Sequence, residues 1–245
     1  MRIGIYVDGY NLYYGARGLC GRGTPGWRWL DIRALAERLI ATSPRWSNAT
    51  VHRIVYCTAV IDAASNPSGF VDQDIYLKAL RAASSVDHIE YGYYVARVKH
   101  APLAVRAQSR SGNPQLVNPQ WPIMVQDAQG NPIPDARFVV SYAHREEKGS
   151  DVNVASHLLV DVLTSQVDAA VIISNDSDLK FPIAHARTKV PVALINPSSN
   201  YLAGALRGQA SEGVGGHWWR QLTASDLHAC QLATPIASHS RPAGW

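Results

Sequence analysis

Arg2-Ile3-Gly4-Ile5-Tyr6-Val7-Asp8-Gly9-Tyr10-Asn11-Leu12 opens the chain with a near-continuous apolar run that ends on a carboxylate. Such a run suits a central parallel strand covered on both faces. Asp8 to Tyr14 then reads as the exit loop and the start of a helix. Outward from this stretch, strand and helix patterns alternate. Leu30 to Ile40 carries apolar residues at 32, 35, 36, 39 and 40, the spacing of an amphipathic helix, with Asp31 near its beginning. Val51 to Val60 reads as a second strand, with the Asn66-Pro67 turn signal after it. Asp72 to Ala83 reads as a helix and His88 to Val95 as a third, aromatic-rich strand. Asp151 to Leu163 is the clearest helix. Ala169 to Ser174 is a fourth strand, Leu179 to Thr188 a helix, Val190 to Ile195 a fifth strand and Leu222 to Leu232 a terminal helix. The alternation predicts an α/β, Rossmann-like domain over residues 1–237, a doubly wound parallel sheet with helices on both faces. Residues 238–245 read as a frayed tail.

The region from Ala96 to Phe138 interrupts this rhythm. Pro102, Pro114, Pro119, Pro122, Pro132 and Pro134 separate short β-prone pieces, so residues 97–140 read as an inserted β-hairpin arm within the one domain. The formal net charge is +4, and between Tyr91 and Gln126 there is no carboxylate, while Arg97, Lys99, Arg106 and Arg110 are basic. Outside that stretch 19 basic residues balance 19 acidic ones, so the whole excess lies on the arm. A local basic strip fits contact with a polyanion, and Tyr93, Tyr94 and Trp121 are available to stack on unpaired bases. A charged hairpin that blunts a sheet edge explains the same residues. Trp27, Trp29, Trp218 and Trp219 read as core or interface residues.

Four acids stand where a parallel sheet would release its chain: Asp8, Asp151, Asp176 and Asp178. On a helical wheel Ala155, Leu158 and Val162 fall close to Asp151, which puts that carboxylate on the buried stripe, at the end of the helix whose dipole favours an anion. At an assumed spacing of about 5 Å and an effective dielectric of about 20, each ionised pair costs roughly 3 kcal/mol. A hard cation, Mg²⁺ or Mn²⁺, would offset that. Any one of these acids alone reads more simply as a helix cap or turn. Asn11 is read either as a cap or as a site residue that orients water or phosphate. Ser174 either binds phosphate or closes its turn, and Lys148 either contacts phosphate or is solvated. Asp62, after the second strand, reads either as a further acid or, more simply, as a turn residue.

Several classes are excluded or unsupported. The three cysteines, Cys20, Cys57 and Cys230, form neither a CxxC pair nor a disulfide scaffold and suggest a reducing compartment. No stretch reads as a signal peptide or a membrane span, so the expectation is a cytoplasmic protein. The nine histidines show no HxxxH or HxH spacing, so a zinc site is not expected, and His157 reads as a surface or packing residue. No Walker loop or GxGxxG turn follows a strand, which leaves nucleotide-cofactor binding without support.

Tyr6-Val7-Asp8-Gly9-Tyr10-Asn11-Leu12, Glu147-Lys148-Gly149-Ser150-Asp151-Val152 and Ser174-Asn175-Asp176-Ser177-Asp178-Leu179 resemble the three signature blocks of the NYN domain family, PIN-like ribonucleases that include LabA-like proteins. Their order spans residues 1–198. The resemblance implies a PIN-like fold, a divalent metal on Asp8, Asp151, Asp176 and Asp178, and RNA cleavage, with Asn11 accompanying the first acid. Asn175 and Leu179 depart from residues usual in that family. The expectation is a Mg²⁺- or Mn²⁺-dependent endoribonuclease acting on single-stranded RNA, with Lys148, Ser174, Arg97, Lys99, Arg106 and Arg110 as substrate contacts. A catalytically silent RNA-binding or protein-interaction module, and a DNA nuclease or phosphatase using the same acids, stay open as alternatives, as does a homodimer.

Overall fold

The computed structural model describes residues 1–46, 48–105, 115–117, 125–134 and 138–245. Strand β1, Arg2–Asp8, lies at the centre of a seven-stranded sheet, and Ile3, Ile5, Tyr6 and Val7 on it are fully buried. Asp8 ends the strand and starts helix α1, Gly9–Cys20, by accepting a hydrogen bond from Asn11 N at 3.0 Å. Helix α2, Ile32–Ala41, buries Ile32, Leu35, Ala36, Leu39 and Ile40 and is capped by Asp31. Strand β2, Thr50–Ala59, leads to α3, Pro67–Ala82. This helix begins five residues before the expected Asp72, because Asn66 caps it through Gly69 N at 3.1 Å and Pro67 occupies the first turn. The Asn-Pro pair is a helix start as well as a turn.

Strand β3, His88–Pro102, runs past the expected Val95. Short β4, Ala104–Val105, and β5, Gln115–Leu116, pair antiparallel, and β6, Val139–Lys148, returns the chain to helix α4, Ser150–Leu163. Then follow β7, Ala169–Ile173; α5, Lys180–Arg187, preceded by a 3-10 turn at Ser177–Leu179; β8, Val192–Asn196; β9, Trp218–Gln221; and α6, Ala224–Ala229. The sheet order is β6-β3-β2-β1-β7-β8-β9, and the pairs from β3 through β9 are parallel. This is a Rossmann-like α/β sheet. One face packs Ile3, Ile5, Val7, Val171 and Ile195 against α1, α2, α3 and α6; the other packs Tyr6, Val55, Cys57, Ile172 and Leu194 against α4 and α5.

Strand β9 was not expected from sequence, and the terminal helix is shorter than Leu222 to Leu232. A capping box between Thr223 and Asp226 fixes its start. Residues Val95–Glu146, expected as an arm within one domain, form a compact unit of their own, and Met1–Tyr94 with Glu147–Trp245 form another. The tail is not frayed at its end: the Trp245 ring packs on Trp29 and Tyr76. Among the described residues no helix is long and apolar enough to cross a membrane.

Candidate functional site

The parallel strand order turns back on itself between β1 and β7, and in open α/β sheets the crevice beyond the carboxyl ends of such a pair receives ligands. Asp8 ends β1 and Ser174 follows β7. Asp8 is 4% exposed; its Oδ1 accepts from Asn11 N, and its Oδ2 accepts from the Ser174 hydroxyl at 3.0 Å. Ser174 Oγ accepts in turn from Asp176 N at 3.1 Å. Burial pushes the Asp8 carboxyl up to about 6; the bonds from Asn11 and Ser174 pull it down, while the charges of Asp176 and Glu147 push it further up. The Asp8 carboxyl is therefore held closer to the neutral range than an exposed aspartate would be.

The rim is aromatic and acidic. Tyr10 and Tyr14 stand with ring centroids 4.6 Å apart. Burial pushes the half-buried Tyr94 phenol up to about 12, helped by Tyr14, Tyr10 and Glu147. Cys57, beside Asp8 in the β1–β2 register, is likewise pushed up to about 12 by burial and then by Asp8, Glu90 and Glu147. Glu147, Tyr10 and Tyr14 were not singled out as site residues from sequence. Glu147 enters because Gly149 adopts φ +94°, a left-handed turn that brings the strand-end carboxylate back over the start of α4. There Glu147 Oε1 accepts from Ser150 Oγ at 2.6 Å and from Ser150 N at 3.2 Å. A glutamate three residues before a helix-start serine was the available signal.

The other expected site residues divide. Asn11 Oδ1 accepts from Asn175 N at 3.0 Å, so it ties α1 to the loop after β7. Asn175 in turn holds the 201–203 segment, donating to Tyr201 O at 3.1 Å and accepting from Ala203 N at 2.8 Å. Asp176 Oδ1 accepts from Asp178 N at 3.0 Å as a cap of the 3-10 turn, and Asp178 is exposed. Asp151 is half-buried in the first turn of α4, and Lys148 is half-buried at the end of β6. Asp62 is a turn residue that accepts from Ala64 N. Arg97 is exposed, and Lys99 pairs with Glu146 at 3.3 Å; both lie in the Val95–Glu146 unit. Arg106, Arg110 and Trp121 lie outside the described residues. Trp27 and Trp29 are core residues, Trp218 packs on Trp46, and Trp219 is exposed.

Asp176 and Glu147 lie close enough to Asp8 for their charges to act on it, but the four expected acids are not a set with donor atoms all within 4.8 Å of one another. Among the described residues, the set of three or more His, Cys, Asp or Glu side chains with donor atoms all within 4.8 Å of one another is His88, Glu90 and His157. His157, read from sequence as a surface or packing residue, is half-buried and packs on the His88 ring. No HxxxH or HxH spacing marks this group in the sequence, because its pattern is His-x-Glu on β3 plus a histidine from α4.

A dinucleotide with its pyrophosphate at the start of α1, as doubly wound sheets often hold it, does not fit this chain. The turn after β1 is Asp8-Gly9-Tyr10-Asn11-Leu12, and the Asp8 carboxylate already occupies the helix start where a phosphate would sit. Gly9 serves packing: an added Cβ would stand 2.8 Å from Cys57 O and from the Tyr56 ring.

No family model matches the chain. Among curated proteins it is 30% identical, over an alignment of 266 residues, to the 6-hydroxy-3-succinoylpyridine 3-monooxygenase HspA of Pseudomonas putida (strain DSM 28022 / S16), which covers 100% of this chain and 75% of that protein. Among solved structures it is similar to a protein of unknown function from Vibrio parahaemolyticus RIMD 2210633, with a TM-score of 0.43 and 14% identity over 90% of this chain and 92% of that one. The whole-chain relationship to a monooxygenase overturns the expectation of a Mg²⁺- or Mn²⁺-dependent endoribonuclease, together with its silent-module, DNA-nuclease and phosphatase alternatives. The relative is an oxidoreductase, not a hydrolase. Carboxylates at strand ends serve proton transfer as readily as metal binding.

Proposed function

The chain belongs to the family of the 6-hydroxy-3-succinoylpyridine 3-monooxygenase HspA, and from that premise we propose that it hydroxylates a ring-hydroxylated pyridine in the crevice between the ends of β1 and β7. The observation that carries this reading is 30% identity across the entire chain. In a 3-monooxygenation of such a substrate one atom of O₂ forms the new C–O bond at the ring carbon that carries the succinoyl group, and the other leaves as water with two electrons and two protons. The acyl group departs as its carboxylic acid by taking up the oxygen of a water. The electrons come from a two-electron donor of the reduced-nicotinamide class. The chain's own part is to bind and activate the ring.

Asp8 accepts the proton of the ring hydroxyl, since its carboxyl near 6 is ionised at neutral pH yet basic enough to take a proton. The resulting oxyanion enriches the ring carbons that react with oxygen. Ser174 fixes Asp8 by its 3.0 Å bond, while Glu147 and Asp176 keep the carboxyl basic. Tyr10, Tyr14 and Tyr94 supply aromatic faces for a planar ring, which favours offset or edge contacts at about 4.5–7 Å. Lys148, next to Glu147 in the chain, is assigned to an acyl carboxylate on the substrate, offsetting the acids of the crevice. A PIN-like scaffold of the NYN type, suggested by the three sequence blocks, is part of this proposal and compatible with it, because one scaffold hosts unrelated chemistries.

The test supplies untagged protein with 6-hydroxy-3-succinoylpyridine or simpler hydroxypyridines, NADH or NADPH, and ¹⁸O₂. The expected result is substrate-dependent oxygen uptake, one ¹⁸O in the ring product, and a loss of about 100-fold or more in kcat/KM for Asp8→Asn. No substrate-dependent uptake with either donor, or a new ring oxygen drawn from water, overturns the reading.

A further inference from the structure

His88 and Glu90 alternate on β3 and so project from the same sheet face. Their register partners on β2, Val55 and Cys57, belong to the face covered by α4. His157 comes down from the second turn of α4 to meet them. Glu90 Oε2 lies 2.9 Å from His88 Nε2 and 3.1 Å from His157 Nε2, and the two imidazole rings are 5.1 Å apart at 53°. Two ring nitrogens thus converge on one carboxylate oxygen.

These separations are those of ligands around one ion. With metal–ligand bonds of about 2.1 Å, neighbouring donor atoms stand about 3.0 Å apart in an octahedral site and about 3.4 Å in a tetrahedral one. Two of the three edges therefore already match, and the His88–His157 edge, within 4.8 Å, needs a closure of at most about 1.8 Å for octahedral geometry. His88 is exposed while Glu90 and His157 are half-buried, so the group has an entry path and leaves coordination positions open to solvent. Imidazole with carboxylate suits first-row transition ions rather than Mg²⁺, and two histidines with one carboxylate hold ferrous iron in one class of oxygenases.

We propose that His88, Glu90 and His157 form a binding site for a divalent first-row transition ion of the Fe²⁺, Co²⁺ or Zn²⁺ class. The proposal goes beyond the reading of the crevice and does not rest on it. The site is separate: Asp8 pairs with Cys57 and Cys57 with Glu90 across the sheet, which puts Glu90 two strand spacings, about 10 Å, from Asp8. Arg53 sets the affinity. Its Nη2 stands 3.5 Å from His157 Nδ1 while its Nη1 is held by Asp161 at 2.6 Å. In the metal-free protein His157 Nδ1 faces a donor, so Nε2 carries the proton given to Glu90. Binding through Nε2 needs the other tautomer, so the proton moves to Nδ1 and leaves an N–H facing a guanidinium, where a bound histidine usually has an acceptor; such outer partners are worth about 10–100-fold in affinity. Micromolar rather than nanomolar binding follows.

The experiment titrates untagged, EDTA-dialysed protein with Co²⁺, with Zn²⁺, and with Fe²⁺ in the absence of oxygen, by calorimetry and, for Co²⁺, by visible absorption. One equivalent is expected to bind with micromolar affinity. His88→Ala, Glu90→Gln and His157→Ala should each weaken binding tenfold or more, while Asp8→Asn binds as the wild type. Binding that is unchanged in all three variants, lost in Asp8→Asn, or absent overturns the site. Should a variant fail to fold, proton NMR of the unaltered protein with Co²⁺ decides: two paramagnetically shifted, exchangeable imidazole N–H resonances are expected, and their absence overturns the proposal.

Discussion

Burial holds the Asp8 carboxyl at about 6 against an ordinary 3.8, so between those values the folded chain binds a proton that the unfolded chain has released. A carboxyl raised on folding contributes its stability in the protonated form. That contribution is whole below about pH 4 and is lost as the pH climbs through about 6, the opposite of a salt-bridged carboxylate. The difference of about two units corresponds to at most about 3 kcal/mol. Asp8→Asn removes the penalty and keeps a competent helix cap, so at pH 8 the variant should be about 1–3 kcal/mol more stable than the wild type and insensitive to pH between 4 and 8. Urea unfolding at both pH values checks this; wild-type stability that rises from pH 4 to 8 sinks it. The same group should give the wild-type kcat/KM an acidic limb near pH 6. Asp8 was legible in the sequence because a carboxylate closing an apolar strand has few other reasons to be there. Glu147 was not, because its place depends on the left-handed turn at Gly149, which a residue pattern does not display.

Helix α4 is bound to the sheet by more than apolar packing. Asp161, 1% exposed, accepts from Tyr6 Oη at 3.0 Å and from Arg53 Nη1 at 2.6 Å, joining β1 and β2 to the helix. Removing the cation from a buried pair strands the anion, at about 3–5 kcal/mol when both partners are enclosed. The Arg53 side chain is one-third exposed, so water screens part of the pair and Arg53→Met should cost about 2–3 kcal/mol. Denaturant unfolding beside Tyr6→Phe, expected to cost about 1 kcal/mol, separates the ion pair from the neutral hydrogen bond; equal costs would refute this division. The amphipathic stripe of α4 and the strands β1, β2, β7 and β8 were readable to within a few residues, since continuous burial writes itself into composition. Strand β9 was not: Trp218-Trp219-Arg220-Gln221 follows three glycines and becomes a strand only through its pairing with β8. The His88, Glu90 and His157 cluster escaped for a related reason, since 67 residues separate Glu90 from His157.

At the scale of the molecule, the layered sheet could be read from alternation, but its chemistry could not. Asp8, Asp151, Asp176 and Asp178 fit a hydrolytic metal centre on paper; folded, one Asp176 oxygen caps a turn and Asp178 faces solvent, and the finding that points away from hydrolysis is a whole-chain relationship rather than any motif. The carboxyl terminus makes the same point for stability. Its last residues, polar and proline-bearing, look frayed in sequence, yet Trp245 places its ring 6.4 Å from that of Trp29 and 5.7 Å from that of Tyr76, and Gly244 O accepts from Arg28 Nη1 at 2.8 Å. Trp29 is fully buried and Tyr76 donates to Leu30 O, so the tail closes the layer formed by α2 and α3 over the sheet. Two aromatic contacts at about 0.5–1.5 kcal/mol each, with the apolar area they cover, make ending the chain after Ala237 cost about 2–4 kcal/mol. For a chain of this size that lowers Tm by about 5–15 °C. Trp245→Ala alone should lose about half as much, with a red shift of the tryptophan emission as Trp29 meets water. A truncated chain that melts with the wild type would mean the tail contributes nothing.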